Sequence, residues 1–496
     1  MTASNSDDRS PLPKLSSAGQ AIIIVTAFLG WFFGGMHMGI TSLAMGSAAN
    51  DLLVKTGHGE VTSADQDAAQ RLLAELDDDH DGRLSSEEAS KSDRKPAVGN
   101  SALLSLDDLI EEARSSRLEA ASKGWFGFYT CAFLFGAALG GLVFGWVGDR
   151  FGRVAGMGLS ICVYSGVSLL AYFVQSPEQL WVARFVVCMG VGGMWPNGVA
   201  LMSEAWEGVS RPVLAGVIGT SANVGIFLTA ALVKQVEITA ASWRWTMLLG
   251  GGPIVLGILV FLIVPESPRW LASRQSKDSD ASAESSRERV GNASTWDVFK
   301  PPLLSVTLVG ILLATVPLLG GWGSANWAID WARQVGNEIG NEGLKADVGM
   351  ARSLTGIIGS LLGGWIASLT GRRLSYFVSS VCAFASAQYL FWLLSPETTS
   401  FLVWFAVLGL FNGFFFGWLP LFLPELFETR VRSTGAGVCF NFGRIITAIT
   451  VFATALLITA FNNDYGMIGR LTSMIYLLGA VGICLVPRGV GGEIRD

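Results

Sequence analysis

The chain has 496 residues, of which 51% are apolar and only 15% charged, with a net charge of −6 and a mean hydropathy of +0.47. A soluble globular protein carries about 25% charged residues, so one large water-soluble core is excluded and the charge deficit must be absorbed by lipid. No nucleotide-binding loop of the G-x-x-x-x-G-K-[ST] type and no Cys/His cluster occurs, so ATP-driven pumping, enzymatic chemistry and a nucleic-acid partner are not expected.

Residues 1–18 are polar and read as a disordered N-terminal segment. Twelve apolar runs follow, at 19–49, 123–147, 154–174, 180–204, 212–236, 244–264, 303–328, 346–368, 374–394, 401–424, 433–460 and 466–486. Each is near or above the ~20 residues that a helix needs to cross hydrocarbon. The runs do not alternate residue by residue, and backbone groups cannot stay unpaired in lipid, so they are helices and not barrel strands. The first run is longer than the ~7–15 apolar residues of a cleaved signal peptide and is read as an uncleaved span. All six cysteines fall inside spans and are read as small packing residues. The fold expected is all-α and membrane-embedded: six helices over 19–264, six over 303–487, a linker at 265–302 and a tail at 488–496. The linker is Ser-rich and charged over 273–295, too polar to bury a core of its own.

Between spans 1 and 2 lies an insertion, 51–122, with 17 acidic against 8 basic side chains. Within it, residues 77–88 meet each requirement of an EF-hand calcium loop. Asp77, Asp79 and Asp81 stand at positions 1, 3 and 5, and Gly82 at the sharp turn. The Arg83 carbonyl, Ser85 and Glu88 follow at 7, 9 and 12, with Leu84 as the apolar residue between turn and exit. The preceding stretch puts Ala69, Leu72, Leu73 and Leu76 on one helical face. No second such loop is evident, since 106–112 lacks the glycine and the spacing. The insertion is therefore expected to be a small EF-hand-like helical unit whose calcium is a structural clip, a gating role being the alternative.

The chain repeats itself. Gly145, Asp149, Gly152 and Arg153 return in degraded form at Gly364, Ser368, Gly371 and Arg372-Arg373, about 220 residues later. Glu204 and Arg211 return as Glu425 and Arg432, also ahead of an Ala-Gly pair. Parallel six-helix halves with a substrate site between them near midplane are one transporter plan. The short loops carrying Arg150, Arg153, Arg211, Arg269, Arg372, Arg373, Arg430 and Arg432 all fall on one side if there are twelve spans. That side is the cytosol by the positive-inside rule. Both termini are then cytosolic, the calcium loop is extracytoplasmic, and the cell (inner) membrane is the expected location.

Gly145, Asp149, Arg150, Gly152 and Arg153 match the loop 2–3 signature G-x-x-x-D-R-x-G-R-R/K, and on them the chain resembles the major facilitator superfamily. Arg184, Cys188, Gly190 and Gly192 resemble its span-4 motif. Pro265, Glu266, Pro268 and Arg269 resemble the end of span 6 in sugar porters. Pro424, Glu425, Phe427, Arg430, Arg432 and Gly435 resemble the span 10–11 loop of sugar, sialic acid and aromatic acid proton symporters. The resemblance implies that Asp149 latches onto the N-terminus of span 11 and favours an outward-open state. Gly145, Asp149, Arg150, Gly152, Arg153, Glu204, Arg211, Arg372, Arg373, Glu425 and Arg432 are accordingly the gating candidates, with pairing expected between Glu204 and Arg211 and between Glu425 and Arg432.

Charges inside spans are expensive and therefore functional candidates. Arg444 lies twelve residues beyond Arg432, about 18 Å deep at ~1.5 Å per residue. It matches Asn223 in the first half, and there it can hold an anion through bidentate contacts; an internal salt-bridge role is the alternative. His37, the single intramembrane histidine, has the pKa range for proton coupling, although a packing role fits it as well. Asn441, Asn326, Trp327, Asn412 and Trp418 complete the substrate candidates, with Asn197 and Trp322 beside them. The expected function is alternating-access secondary transport by a monomer, with proton-coupled import of a sugar acid, sialic acid or aromatic acid. A neutral sugar transporter, and a non-transporting calcium or nutrient receptor on the same fold, remain open.

Overall fold

The protein is described from a computed structural model, over residues 15–85, 88, 103–205, 211–272, 298–427, 431–456 and 464–486. The expected N-terminal segment, most of the linker 265–302 and the C-terminal tail fall largely outside these residues. Among the described residues, 12 helices are long and apolar enough to cross a membrane. In order, spans 1 to 6 are Ser17–His58, Leu106–Phe151, Arg153–Ala171, Pro177–Met202, Gly216–Gln235 and Trp245–Ile263. Spans 7 to 12 are Leu303–Glu338, Leu344–Thr370, Arg372–Leu393, Thr399–Glu425, Gly435–Thr454 and Tyr465–Leu485.

Three helices run well past their apolar stretches, all at the face that carries the insertion. Span 2 starts at Leu106 because Ser105 and Asp108 cap it reciprocally, a device that starts a helix in water as readily as in lipid. Span 7 continues to Glu338 through a π-helical turn, Gly320–Ser324. Span 1 ends in a second such turn, Val54–His58, broken at Gly57 with φ of 87°.

The packing obeys the repeat. In the first half span 1 lies against span 5, span 2 against span 4 and span 3 against span 4. Six spans later, 7 lies against 11, 8 against 10 and 9 against 10. The seams between halves form an equivalent pair as well, span 5 against span 8 and span 2 against span 11. Span 2 meets span 4 backbone to backbone, since a methyl group at Gly140 would collide with the Met189 carbonyl; Gly363 of span 8 does the same against Phe414 of span 10. Such small-residue approaches supply the helix contact that lipid does not drive.

The insertion has a core of its own, formed by Ala69, Leu76, Leu84, Leu104 and Leu109 with Leu72 and Leu73 packed against it. The helical face expected of the entry helix, Ser63–Leu76, is thus the buried one. Two short strands, β1 (Arg83–Ser85) and β2 (Leu103–Ser105), pair antiparallel with Leu84 opposite Leu104. Arg117 of span 2 ties the unit down, donating to Asp65 at 2.9 Å and to the carbonyls of His58 and Glu60 at 3.0 and 2.9 Å.

Candidate substrate site and gates

At the face carrying loops 2–3 and 8–9, here called the motif face, the same clasp is built twice. Arg153 reaches Glu204 at the end of span 4 (3.5 Å), and Arg372 reaches Glu425 at the end of span 10 with two hydrogen bonds of 3.2 and 3.1 Å. These contacts are additional to the expected pairings Glu204/Arg211 and Glu425/Arg432, whose arginine side chains fall outside the described residues. The loop arginines start spans 3 and 9 directly after glycines with φ of 116° (Gly152) and 90° (Gly371). That turn, which only glycine adopts without strain, aims each guanidinium at the neighbouring span. The side chains of Arg211 and Arg432, and Arg430 as a whole, lie outside the described residues. Glu266 adds a third element in the first half, accepting from the backbone N–H groups of Arg153 (3.0 Å) and Val154 (3.1 Å). A carboxylate at these orphan donors and positive helix end is favourable.

The side chains at the start of span 11, on which Asp149 is expected to latch, lie largely outside the described residues. The Asp149 side chain is 72% exposed and paired with Arg153 one turn along. Arg150 is exposed as well, while Arg373 donates to the Val486 carbonyl at 2.8 Å. Gly145 has open space around it; the close approach in this motif belongs to Gly148, which abuts Asn197. Asn197 donates to the carbonyls of Phe144 (2.9 Å) and Gly193 (2.8 Å), bridging spans 2 and 4 as packing.

At the opposite, insertion-bearing face several polar contacts join the halves beside pairs that stay within one half. Asp330 of span 7 is buried, bonded to Arg333 (2.6 Å) and to the hydroxyl of Tyr465 in span 12. Lys123 of span 2 lies 4.7 Å over the Tyr465 ring and pairs with Glu119 (3.3 Å). Gly46 of span 1 packs directly on the Asp330 carboxylate. Lys345 of span 8 donates to the Ile238 carbonyl beyond span 5 (2.8 Å), and Lys234 pairs with Asp347. Trp327 against Phe126 (5.6 Å) and Phe128 against Phe452 (5.4 Å) fill the seam between. This face is closed. Asp330, Arg333, Lys345 and Lys123 escape a reading of apolar runs because they stand at or just beyond the expected ends of spans 7, 8 and 2.

At mid-depth Arg444 is buried and reaches across to span 2, donating to the Ala137 carbonyl at 3.2 Å and to Asn441 at 3.4 Å, with Phe440 4.5 Å beneath it. Asn223, its counterpart, bridges spans 5 and 8 through Ser360 (2.8 Å) and the Gly356 carbonyl (3.3 Å). A second arginine, Arg352 of span 8, also stands here, with the Gly321 carbonyl at 3.5 Å as its contact. Asn412 of span 10 is beside it: a β-carbon on Gly321 would lie 3.1 Å from its amide nitrogen and 3.4 Å from the Arg352 guanidinium. Arg352 stands as a charge inside the run 346–368, but the repeat does not mark it, because no charged residue stands at the matching position in the first half.

The remaining candidates divide. Asn326 accepts from Ser42 of span 1 (2.8 Å), and its amide nitrogen, like the indole N–H of Trp327, is buried without a partner. Both lie at the seam near the closed face. His37 does not line the seam. It is fully buried inside the first half, 3.1 Å from the Gly250 carbonyl and edge-on to Tyr164, with Arg184 saturating the neighbouring His37 carbonyl and Thr41 hydroxyl. Trp418 is not at mid-depth either: its indole donates to the Arg372 carbonyl at 2.9 Å, making it a brace of the second clasp.

In the insertion, carboxylate oxygens of Asp77, Asp79 and Asp81 lie within 4.8 Å of one another. Gly82 turns with φ of 79°, and Asp77 accepts from its N–H at 3.0 Å. Glu88 folds back onto the N–H groups of Asp78 and Ser85, both at 2.9 Å. Hydrogen bonds from the Ser85 hydroxyl and backbone hold its carboxyl down at about 2. Across the strand pair Ser105 and Asp108 repeat the Ser85–Glu88 arrangement, with Asp108 accepting from the Ser105 N–H at 2.8 Å. This Ser105–Asp108 pair is the capping box that starts the span 2 helix.

Twelve helices in two parallel repeats, sealed at one face around a polar mid-depth layer, define a solute transporter of the alternating-access type. The Major Facilitator Superfamily profile matches residues 101–450, and the chain belongs to that family. It is 26% identical over 366 residues to the cis,cis-muconate transport protein of Acinetobacter baylyi, covering 73% of this chain and 84% of that one. It is 25% identical over 362 residues to the sialic acid transporter NanX of Escherichia coli, covering 72% and 82%. Among solved structures, the xylose transporter XylE from E. coli in a partially occluded inward-open conformation superposes with a TM-score of 0.60 at 16% identity, over 95% of this chain and 100% of that one.

Proposed function

We propose that the protein imports a small organic anion in symport with protons, with the motif face in the cytosol of an inner membrane. The observation that carries this reading is Arg444. It is a buried guanidinium at the seam between halves that has, among the described residues, carbonyl and amide contacts but no carboxylate partner. Burying a cation without a counter-charge is costly, and an anionic substrate bound at the seam offsets that cost. The names of the muconate and sialic acid relatives are in keeping with it. The orientation follows from Arg150, Arg153, Arg372 and Arg373 at one face, since short cytosolic loops hold the arginines.

We propose further that residues 77–88 hold a calcium ion. Asp77, Asp79, Asp81, Ser85, Glu88 and the Arg83 carbonyl are hard oxygen donors of the kind calcium takes. The clustered aspartates and the positive-φ Gly82 fit that ion, whose charge would offset the repulsion of the acidic loop and order it beside span 2. Uptake into proteoliposomes with an imposed pH gradient tests the transport reading. Accumulation of labelled cis,cis-muconate or sialic acid, enhanced by an acidic outside, is the expected result. Uptake of xylose alone would favour a neutral-sugar carrier. Calcium titration of the purified protein, followed by tryptic protection of 60–90, tests the loop.

A further inference from the structure

Three arginines stand inside the bundle with no carboxylate partner among the described residues, Arg184 and Arg444 buried and Arg352 half-buried, and they are not alike. Arg184 is fully buried within the first half and donates to the His37 carbonyl (3.1 Å) and the Thr41 hydroxyl (2.6 Å); its charge is dispersed into packing. Arg444 and Arg352 have only long contacts, 3.2 and 3.4 Å for the first and 3.5 Å for the second. Arg352 keeps part of its surface accessible although it lies inside span 8.

The two stand at similar depth. Arg352 is eight residues from the insertion-face end of span 8, and Arg444 is twelve from that end of its helix, Arg432–Leu456. At ~1.5 Å per residue these are about 12 and 18 Å, on either side of the middle of a ~30 Å hydrocarbon core. They are also laterally apart. Arg444 touches span 2 at Ala137, and one turn along span 2 Phe133 stacks on Trp322 at 4.2 Å. Trp322 follows Gly321, whose carbonyl takes Arg352. An aromatic pair therefore lies between two under-bonded cations, with Asn441 at one end and Asn412 at the other.

We infer that the substrate is a dianion, an elongated dicarboxylate whose two carboxylates are taken by Arg444 and Arg352 while its carbon skeleton lies along the Phe133–Trp322 pair. This rests on the anion reading above and narrows it. A monoanion neutralises one guanidinium and leaves the other inside the bundle without a counter-charge. A dicarboxylate neutralises both, and each guanidinium–carboxylate contact adds a bidentate geometry that a single carboxylate offers once.

The test compares adipate with its monomethyl ester, two ligands of one skeleton that differ by one charge, by calorimetric binding to the purified full-length protein and by proteoliposome uptake. Adipate is expected to bind at least tenfold more tightly than the monoester. Arg352→Gln should bring adipate down to the monoester's affinity, Arg352→Lys should keep most of the preference, and Arg444→Gln should weaken both ligands. Equal binding of diacid and monoester by the wild-type protein overturns the dianion inference while leaving the anion reading standing, and this arm does not depend on any variant folding. Retention of the full preference by Arg352→Gln overturns it too. Failure of both acids to bind, with xylose taken up, overturns the anion reading itself.

Discussion

The two ends of this bundle are tied differently. At the motif face the ion pairs among the described residues stay within a half: Arg153 with Glu204 in the first, Arg372 with Glu425 in the second. At the insertion-bearing face the halves are joined by the Lys234–Asp347 ion pair, by Lys345 on the Ile238 carbonyl and by Lys123 over the Tyr465 ring. Contacts of the first kind make each half a body. Contacts of the second kind hold one conformation, and they must break for the substrate site to face the other way. Asp149 is exposed and, among the described residues, pairs within its own half, so the contacts that seal the halves together lie at the insertion-bearing face.

Arg444 should show the largest effect, because it is buried at the seam between the halves, where the anion is proposed to bind. Arg444→Ala removes a charge-assisted contact to the anion, worth about 3 kcal/mol where the group is buried, or roughly a hundredfold in affinity. Uptake measured in proteoliposomes should fall by that order while the protein remains monodisperse; intact uptake would remove Arg444 from the site. Next comes the seal. Asp330→Asn leaves Arg333 and Lys123 facing each other around Tyr465 without their buried counter-charge, a loss of about 3–5 kcal/mol for the closed state. A cysteine at Ser42, in a background lacking the six native cysteines, should then react with an impermeant maleimide at least tenfold faster. An unchanged rate would mean that the seal does not depend on Asp330. The clasps should matter less. Arg153→Ala and Arg372→Ala each delete a half-buried pair worth about 1 kcal/mol, with the bidentate Arg372 contact the larger. Their melting shifts should add in the double variant, since the two sites share no partners; marked non-additivity would show that the clasps communicate across the halves.

The architecture was legible in the sequence because it is written in long, redundant signals. Twelve apolar runs and a repeated loop motif are each supported by many residues, and the contact pattern repeats with them. The site was legible only where charge stood alone: Arg444 was found by depth, and Arg352 could have been found the same way. Partner choice was not legible. A positive-φ glycine at 152 turns Arg153 towards Glu204, a contact between spans 3 and 4 that no spacing expresses. His37 and Trp418 show the same limit from the other side. Polar and aromatic types inside a span mark cost, and the cost can be met by a carbonyl of the same half, Gly250 for one and Arg372 for the other, as well as by a substrate.

The smallest effect belongs to the insertion, and it sharpens the comparison because this unit is tied to the closed face by its own ion pair. Arg117 beside Asp65 holds that carboxyl well below the ordinary carboxylate value, with the Thr62 N–H and hydroxyl adding to it against the opposing effect of burial. A depressed carboxyl stabilises the docked state fully above the unfolded value, ~3.9, and the contribution fades as pH falls below that towards the lower folded value. The entry helix should therefore stay docked from neutral pH to about 4 and loosen only in stronger acid. A spin label at the exposed Gln70 would report this as a rise in mobility below pH 4. Asp65→Asn should be mobile at neutral pH and lose the acid transition, whereas the loop aspartates at 77, 79 and 81 remain in that variant. A transition that survives in Asp65→Asn would assign it to the loop. Transport at neutral pH should change little in either case, because Arg117 and Asp65 lie outside the contacts between the halves.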